Sequence, residues 1–72
     1  MANSTYVIIE LVGTSKESWE DAAKNALSTA SRSLKELRVA EVTKLDMTMD
    51  KGKVTAYRAR ITVSFKYLKG DL

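Results

Sequence analysis

The stretch Val54-Thr-Ala-Tyr-Arg-Ala-Arg-Ile-Thr-Val-Ser-Phe-Lys-Tyr67 decides the fold. Its odd positions read Tyr57, Ala59, Ile61, Val63, Phe65 and Tyr67, with Arg58, Arg60, Thr62, Ser64 and Lys66 between them. Alternation with a period of two is the mark of a strand buried on one face and wet on the other. Just before it, Asp50-Lys51-Gly52 places a glycine where a turn needs positive φ, which predicts a three-residue bulged hairpin loop. The partner strand is Leu37 to Met49, carrying Val39, Val42, Thr43, Leu45, Met47 and Met49. If Met49 lies opposite Lys53, then Val39 meets Val63, Glu41 meets Ile61 and Leu45 meets Tyr57. This register puts Glu41 on the apolar face, where an ionised carboxylate needs a partner.

Working outward, Tyr6-Val-Ile-Ile-Glu-Leu-Val12 is rich in β-branched and aromatic residues and stops at Gly13, which predicts a first strand buried on most of both sides. Thr14-Ser-Lys-Glu17 has the form of a capping box and predicts that a helix begins there. Trp19, Ala22, Ala23, Ala26, Leu27, Ala30 and Leu34 then keep three-four spacing for roughly four turns. The alanines let that helix lie close to a sheet. The element order is strand, helix, strand, strand, an α+β protomer.

With 72 residues, no proline and no repeat, residues 1–72 read as one domain. The absence of both cysteine and histidine excludes disulfides, the usual zinc sites and histidine-based or cysteine-based catalysis, so the chain is read as a non-enzyme. Twelve basic against nine acidic residues leave a net charge of +3, unevenly spread. Lys51, Lys53, Arg58, Arg60, Lys66 and Lys69 form a basic stripe with no acid among them. The N-terminal apolar run is too short for a signal peptide or a membrane span, which predicts a cytoplasmic protein with no membrane partner. Hairpin arms of twelve to fourteen residues reach on the order of 40 Å, whereas one helix of about twenty residues reaches roughly 30 Å. The surplus predicts an exposed apolar patch around Met47, Met49 and Tyr57, and hence a homo-oligomer.

The order of these elements and several strings along the chain resemble the dodecins, a family of small flavin-binding proteins. The strings are Glu10-Leu-Val-Gly-Thr-Ser15, Ser18 with the alanine-rich helix, Leu37-Arg-Val-Ala-Glu-Val42, Ala56-Tyr-Arg58 and Ile61-Thr-Val-Ser-Phe65. The resemblance implies a β-α-β-β protomer whose three-stranded antiparallel sheet partly wraps around one helix, assembled as a hollow homododecamer with ligand pockets between subunits. It also implies a flavin site with a stacking tryptophan at the position of Val39 and a hydrogen-bonding glutamine at the position of Arg58. Both are replaced here. Valine offers no stacking plane, and arginine donates but never accepts. Trp19 belongs to the helix stripe and is read as core.

Members of the family without that tryptophan are similar to this chain and are described as calcium dodecins. The chain is therefore read as a small-ligand storage or sequestration protein that binds calcium or another hard cation, with flavin as the alternative ligand. Calcium takes six to eight oxygens. Glu10, Glu41, Asp46 and Asp50 are the strand-borne carboxylates available, with Thr43, Thr48 and carbonyls to complete a shell between subunits. Asp46-x-Thr48-x-Asp50 echoes an EF-hand loop, but the rest of that loop is missing. The competing reading makes these acids ion-pair partners: Asp46 of Arg58 or Lys44, Glu41 of Arg38, Arg58 or Arg60 in a neighbour. The basic stripe also admits nonspecific nucleic-acid binding. Against that, Tyr57, Phe65 and Tyr67 fall on the apolar face, leaving no aromatic platform among the charges.

Overall fold

A computed structural model describes residues 5–66, which form β1 (Tyr6–Ser15), α1 (Trp19–Ala30), β2 (Leu37–Asp50) and β3 (Lys53–Lys66). The strands make an antiparallel sheet in the order β1-β3-β2. The helix covers one face, so the expected α+β architecture holds. Tyr67 and Lys69, read with the third strand and the basic stripe, lie outside the described residues.

β3 is central because its alternation serves two layers at once. Ala59, Ile61, Val63 and Phe65 point at the helix and are buried, Ile61 and Val63 almost completely. Full burial of side chains of this size contributes about 1.5–3 kcal/mol each. From the helix, Ala22 and Ala26 join Ala59, Ile61 and Val63 in the core, and Ile9, Leu11, Ala23, Leu27 and Leu37 pack around it. The alanine stripe does bring the helix close. Gly13 pairs with Ala59 in the sheet, and a Cβ at Gly13 would stand 2.0 Å from the carbonyl oxygen of Ala22 and 2.8 Å from the Cβ of Ala26.

The first strand does not stop at Gly13 but continues to Ser15. Nor is it buried on both sides, because the helix covers only one; Tyr6, Ile8 and Val12 are exposed. The helix starts later than the Thr14 box predicts. Ser18 is the N-cap, its Oγ accepting from the Asp21 amide at 3.0 Å. Ser15 Oγ accepts from the Glu17 amide and donates to the Asp21 carboxylate at 2.7 Å, tying the strand end to the first turn. The helix is twelve residues long and ends before Leu34, a rod of about 18 Å. It therefore shelters even less of the hairpin than expected. The protomer measures 54 × 20 × 16 Å.

The hairpin register is corrected. Its loop has two residues, Lys51 and Gly52, at φ 51° and 80°, joining the paired residues Asp50 and Lys53. Two successive left-handed residues are the signature of a tight type I′ turn. Irregularities follow between Thr48 and Met49, between Val42 and Lys44, and between Leu37 and Val39. The resulting pairs are Leu45 with Ala59, Val42 with Ile61, Glu41 with Thr62 and Val39 with Ser64. The extra residue Thr43 inverts the alternation of β2. Glu41 and Val39 consequently stand on the face away from the helix, not among Ile61 and Val63.

Trp19 is only half-buried. Its ring meets Tyr57 edge-on, with centroids 5.0 Å apart and planes at 68°, and its Nε1 donates to the Asp46 carbonyl at 2.9 Å. It clips the helix start to the hairpin and is not part of the central core. The expected apolar surplus is present: Val42, Leu45, Met47, Met49 and Val54 are exposed, while Tyr57 is half-buried under Trp19. Among the described residues no helix is long and apolar enough to cross a membrane.

Candidate functional site

The uncovered face of the sheet carries most of the chemistry. Its side chains lie in rungs across β1, β3 and β2, spaced about 7 Å apart along the strands. Thr14, Arg58 and Asp46 form the rung nearest the helix start; Val12, Arg60 and Lys44 form the next. Then come Glu10, Thr62 and Glu41, followed by Ile8, Ser64 and Val39. Two basic residues in one rung thus face two acids in the next.

The four carboxylates proposed from sequence are only partly brought together. Glu10 and Glu41 flank the Thr62 hydroxyl in one rung, their backbones about 9.5 Å apart across two strand spacings. Asp46 is engaged by Arg58, opposite it and not on a diagonal, through Nε to Oδ1 at 2.7 Å and a second guanidinium nitrogen to Oδ2 at 2.8 Å. That hydrogen bonding, aided by the charges of Arg58 and Arg60, holds the Asp46 carboxyl below the ordinary carboxylate range against the opposing effect of desolvation. Asp50 stands at the hairpin tip opposite Lys53. Among the described residues no three histidine, cysteine or acidic side chains gather within a protomer. Calcium needs six to eight oxygens, so Glu10, Thr62 and Glu41 fit as part of a shell that other groups must complete.

The flavin positions are also apart. Val39 is 63% exposed on the Ser64 rung, three rungs from Arg58, about 20 Å along the strands. Within one protomer they cannot touch the same ring. Of the basic stripe, Arg58 is neutralised by Asp46; of the aromatic residues on the same strand, Phe65 is buried and Tyr57 lies against Trp19. Arg38, offered above as a partner for Glu41 in a neighbour, forms an ion pair with Glu36 within the protomer.

Sequence reasoning missed the shared rung of Glu10 and Glu41. The signal was legible as a phase break: polar residues fall at Glu41 but then at Lys44 and Asp46, while apolar ones fall at Val42 but then at Leu45 and Met47. One residue too many separates the two runs.

Comparison with known proteins agrees with the fold. The dodecin family model matches residues 5–68. The chain is 47% identical over 64 residues to a calcium dodecin of Mycobacterium tuberculosis (strain ATCC 25618 / H37Rv), covering 88% of this chain and 89% of the relative. Among solved structures, a dodecin from Streptomyces coelicolor superposes with a TM-score of 0.91 at 31% identity, over 97% of this chain and all of the other. A structure of the Mycobacterium tuberculosis calcium dodecin, described as a calcium-chelating immunodominant antigen with a novel calcium-binding site, superposes with a TM-score of 0.82 at 41% identity. It covers 96% of this chain and 99% of its own. In sequence and in architecture alike, the chain belongs to the dodecin family.

Proposed function

We propose that this chain is a non-catalytic subunit of a dodecin-like homododecamer that binds and sequesters calcium or another hard cation in the cytoplasm, with residues 1–72 acting as one domain. The observation that carries the cation reading is the rung in which Glu10 and Glu41 flank the Thr62 hydroxyl on an open face. Likeness to a calcium dodecin over most of the chain supports it. Glu10, Glu41 and Thr62 would supply hard oxygen donors; Asp50, and Asp46 where Arg58 releases it, would contribute across a subunit contact. A bound cation would relieve repulsion between the carboxylates and link strands β1 and β2 across β3. The apolar hairpin surface of Val42, Leu45, Met47 and Met49 supports assembly.

The test is calorimetric titration of chelator-treated protein with calcium chloride, alongside sedimentation. Saturable heat in the wild type and at least a tenfold weaker affinity in Glu10→Gln/Glu41→Gln are expected. No heat and no change in melting temperature would overturn the cation reading; quenching of riboflavin fluorescence instead would point to flavin.

A further inference from the structure

The acidic rung of Glu10, Thr62 and Glu41 has a neighbour of opposite sign. Arg60 and Lys44 occupy the next rung toward the helix start, about 7 Å away along the strands. Long side chains can span that gap, yet among the described residues the ion pairs are Arg38 with Glu36 and Arg58 with Asp46. Lys44, Glu10 and Glu41 are exposed, and Arg60 and Thr62 are half-buried, so both rungs open to solvent on the same side. Arg58, one rung further on, is committed to Asp46; Arg60 and Lys44 are not.

Each rung is incomplete for the ligand its chemistry suits. Even with both carboxylates bidentate, Glu10, Glu41 and Thr62 fall short of the six to eight oxygens that calcium takes. Arg60 and Lys44 present donors only, and such donors bond most strongly to an ionised acceptor. A divalent cation on the acidic rung cancels the two carboxylate charges and leaves the two basic charges beside it uncompensated, which weakens its own binding. We propose that Arg60 and Lys44 hold a phosphate group, free or as a monoester, that binds together with the cation. At pH 7 phosphate carries between about 1.5 and 2 negative charges, which balances the two basic side chains where a monoanion cannot. Its tetrahedral oxygens can accept from the guanidinium and the ammonium on one side and add hard donors to the acidic rung on the other. Chloride supplies no oxygen at all. The inference rests on the cation reading and goes beyond it: cation and oxyanion are coupled, each raising the affinity for the other by the same factor.

The test is calorimetric titration of chelator-treated protein with calcium chloride at constant ionic strength, in chloride alone, with inorganic phosphate kept below the level that precipitates calcium, and with methyl phosphate. Phosphate is expected to tighten calcium binding by at least about fivefold, the lower end of ordinary coupling between sites. A gain with both anions shows that a phosphate carried on a larger molecule is accepted; a gain with inorganic phosphate alone restricts the site to the free ion. Titrating phosphate into protein with and without calcium should give the same factor, a check that needs no variant. Lys44→Gln/Arg60→Gln should bind calcium in chloride at least as tightly as the wild type and lose the gain, whereas Lys44→Arg/Arg60→Lys, which keeps both charges, should retain it. Calcium binding indifferent to either phosphate, or a gain that persists in Lys44→Gln/Arg60→Gln, overturns this proposal and leaves the cation reading standing. No calcium heat in any of the three solutions overturns the cation reading, and the coupled site with it.

Discussion

Gly13→Ala adds one methyl group at the tightest point between helix and sheet. That carbon would lie 2.0 Å from the Ala22 carbonyl oxygen and 3.0 Å from the Ala22 carbonyl carbon, both backbone atoms, and 2.8 Å from the Ala26 Cβ. None of these is the far end of a side chain that could turn aside. To restore an ordinary contact of about 3.4 Å the helix must retreat, and doing so lifts Ala22 and Ala26 from Ala59, Ile61 and Val63. Overpacking costs about 1–3 kcal/mol even when side chains can adjust; with backbone on one side, the expectation is about 3 kcal/mol or more. For a domain of this size the melting temperature should fall by more than about 12 °C. The assay is thermal unfolding followed by far-ultraviolet circular dichroism, at matched protein concentrations because association adds its own stabilisation. A fall of less than about 4 °C would refute the close-approach argument.

Met47→Asp should break the assembly, because it sets a charge in the exposed hairpin surface; sedimentation at unchanged mass would refute that placement. Asp46 has its folded pKa depressed by Arg58, so the stability it contributes is present at neutral pH and lost as pH falls below about 4, through the folded value. Asp46→Asn should abolish that part of the acid sensitivity, and a difference between the two proteins that stays constant from pH 6 to pH 2 would refute it. Val39→Trp with Arg58→Gln should raise riboflavin affinity only in the assembled protein, since the two positions are three rungs apart in one subunit; fluorescence quenching by a dissociated form would contradict this.

The fold was legible because β3 states its burial plainly: every second residue from Ala59 to Phe65 is apolar and buried. The alanine stripe gave the helix and its closeness to the sheet. What could not be read were events one residue long. Thr14 and Ser18 are both sound capping residues, and only the continued pairing of Thr14 and Ser15 with β3 decides for Ser18. Lys51 at φ 51° makes the loop two residues long, although lysine carries no sequence signal for a left-handed conformation. That shifted the register and, with the irregularity at Thr43, put Glu41 on the wrong side. The candidate site was therefore legible as a set of carboxylates but not as a rung.

Thr43 also bears on how this protein is compared with others. The side chains displayed on the open face before and after it belong to opposite parities: Val39 and Glu41 on one side, Lys44 and Asp46 on the other. The bulge works as a frameshift in space. If Thr43 were instead paired in regular register, Glu41 would turn inward and Val42 outward with no residue altered. An ungapped alignment to a chain lacking the extra residue would equate side chains that look in opposite directions. For a surface defined by alternating sign, the spacer is as much a part of the code as the charges it separates.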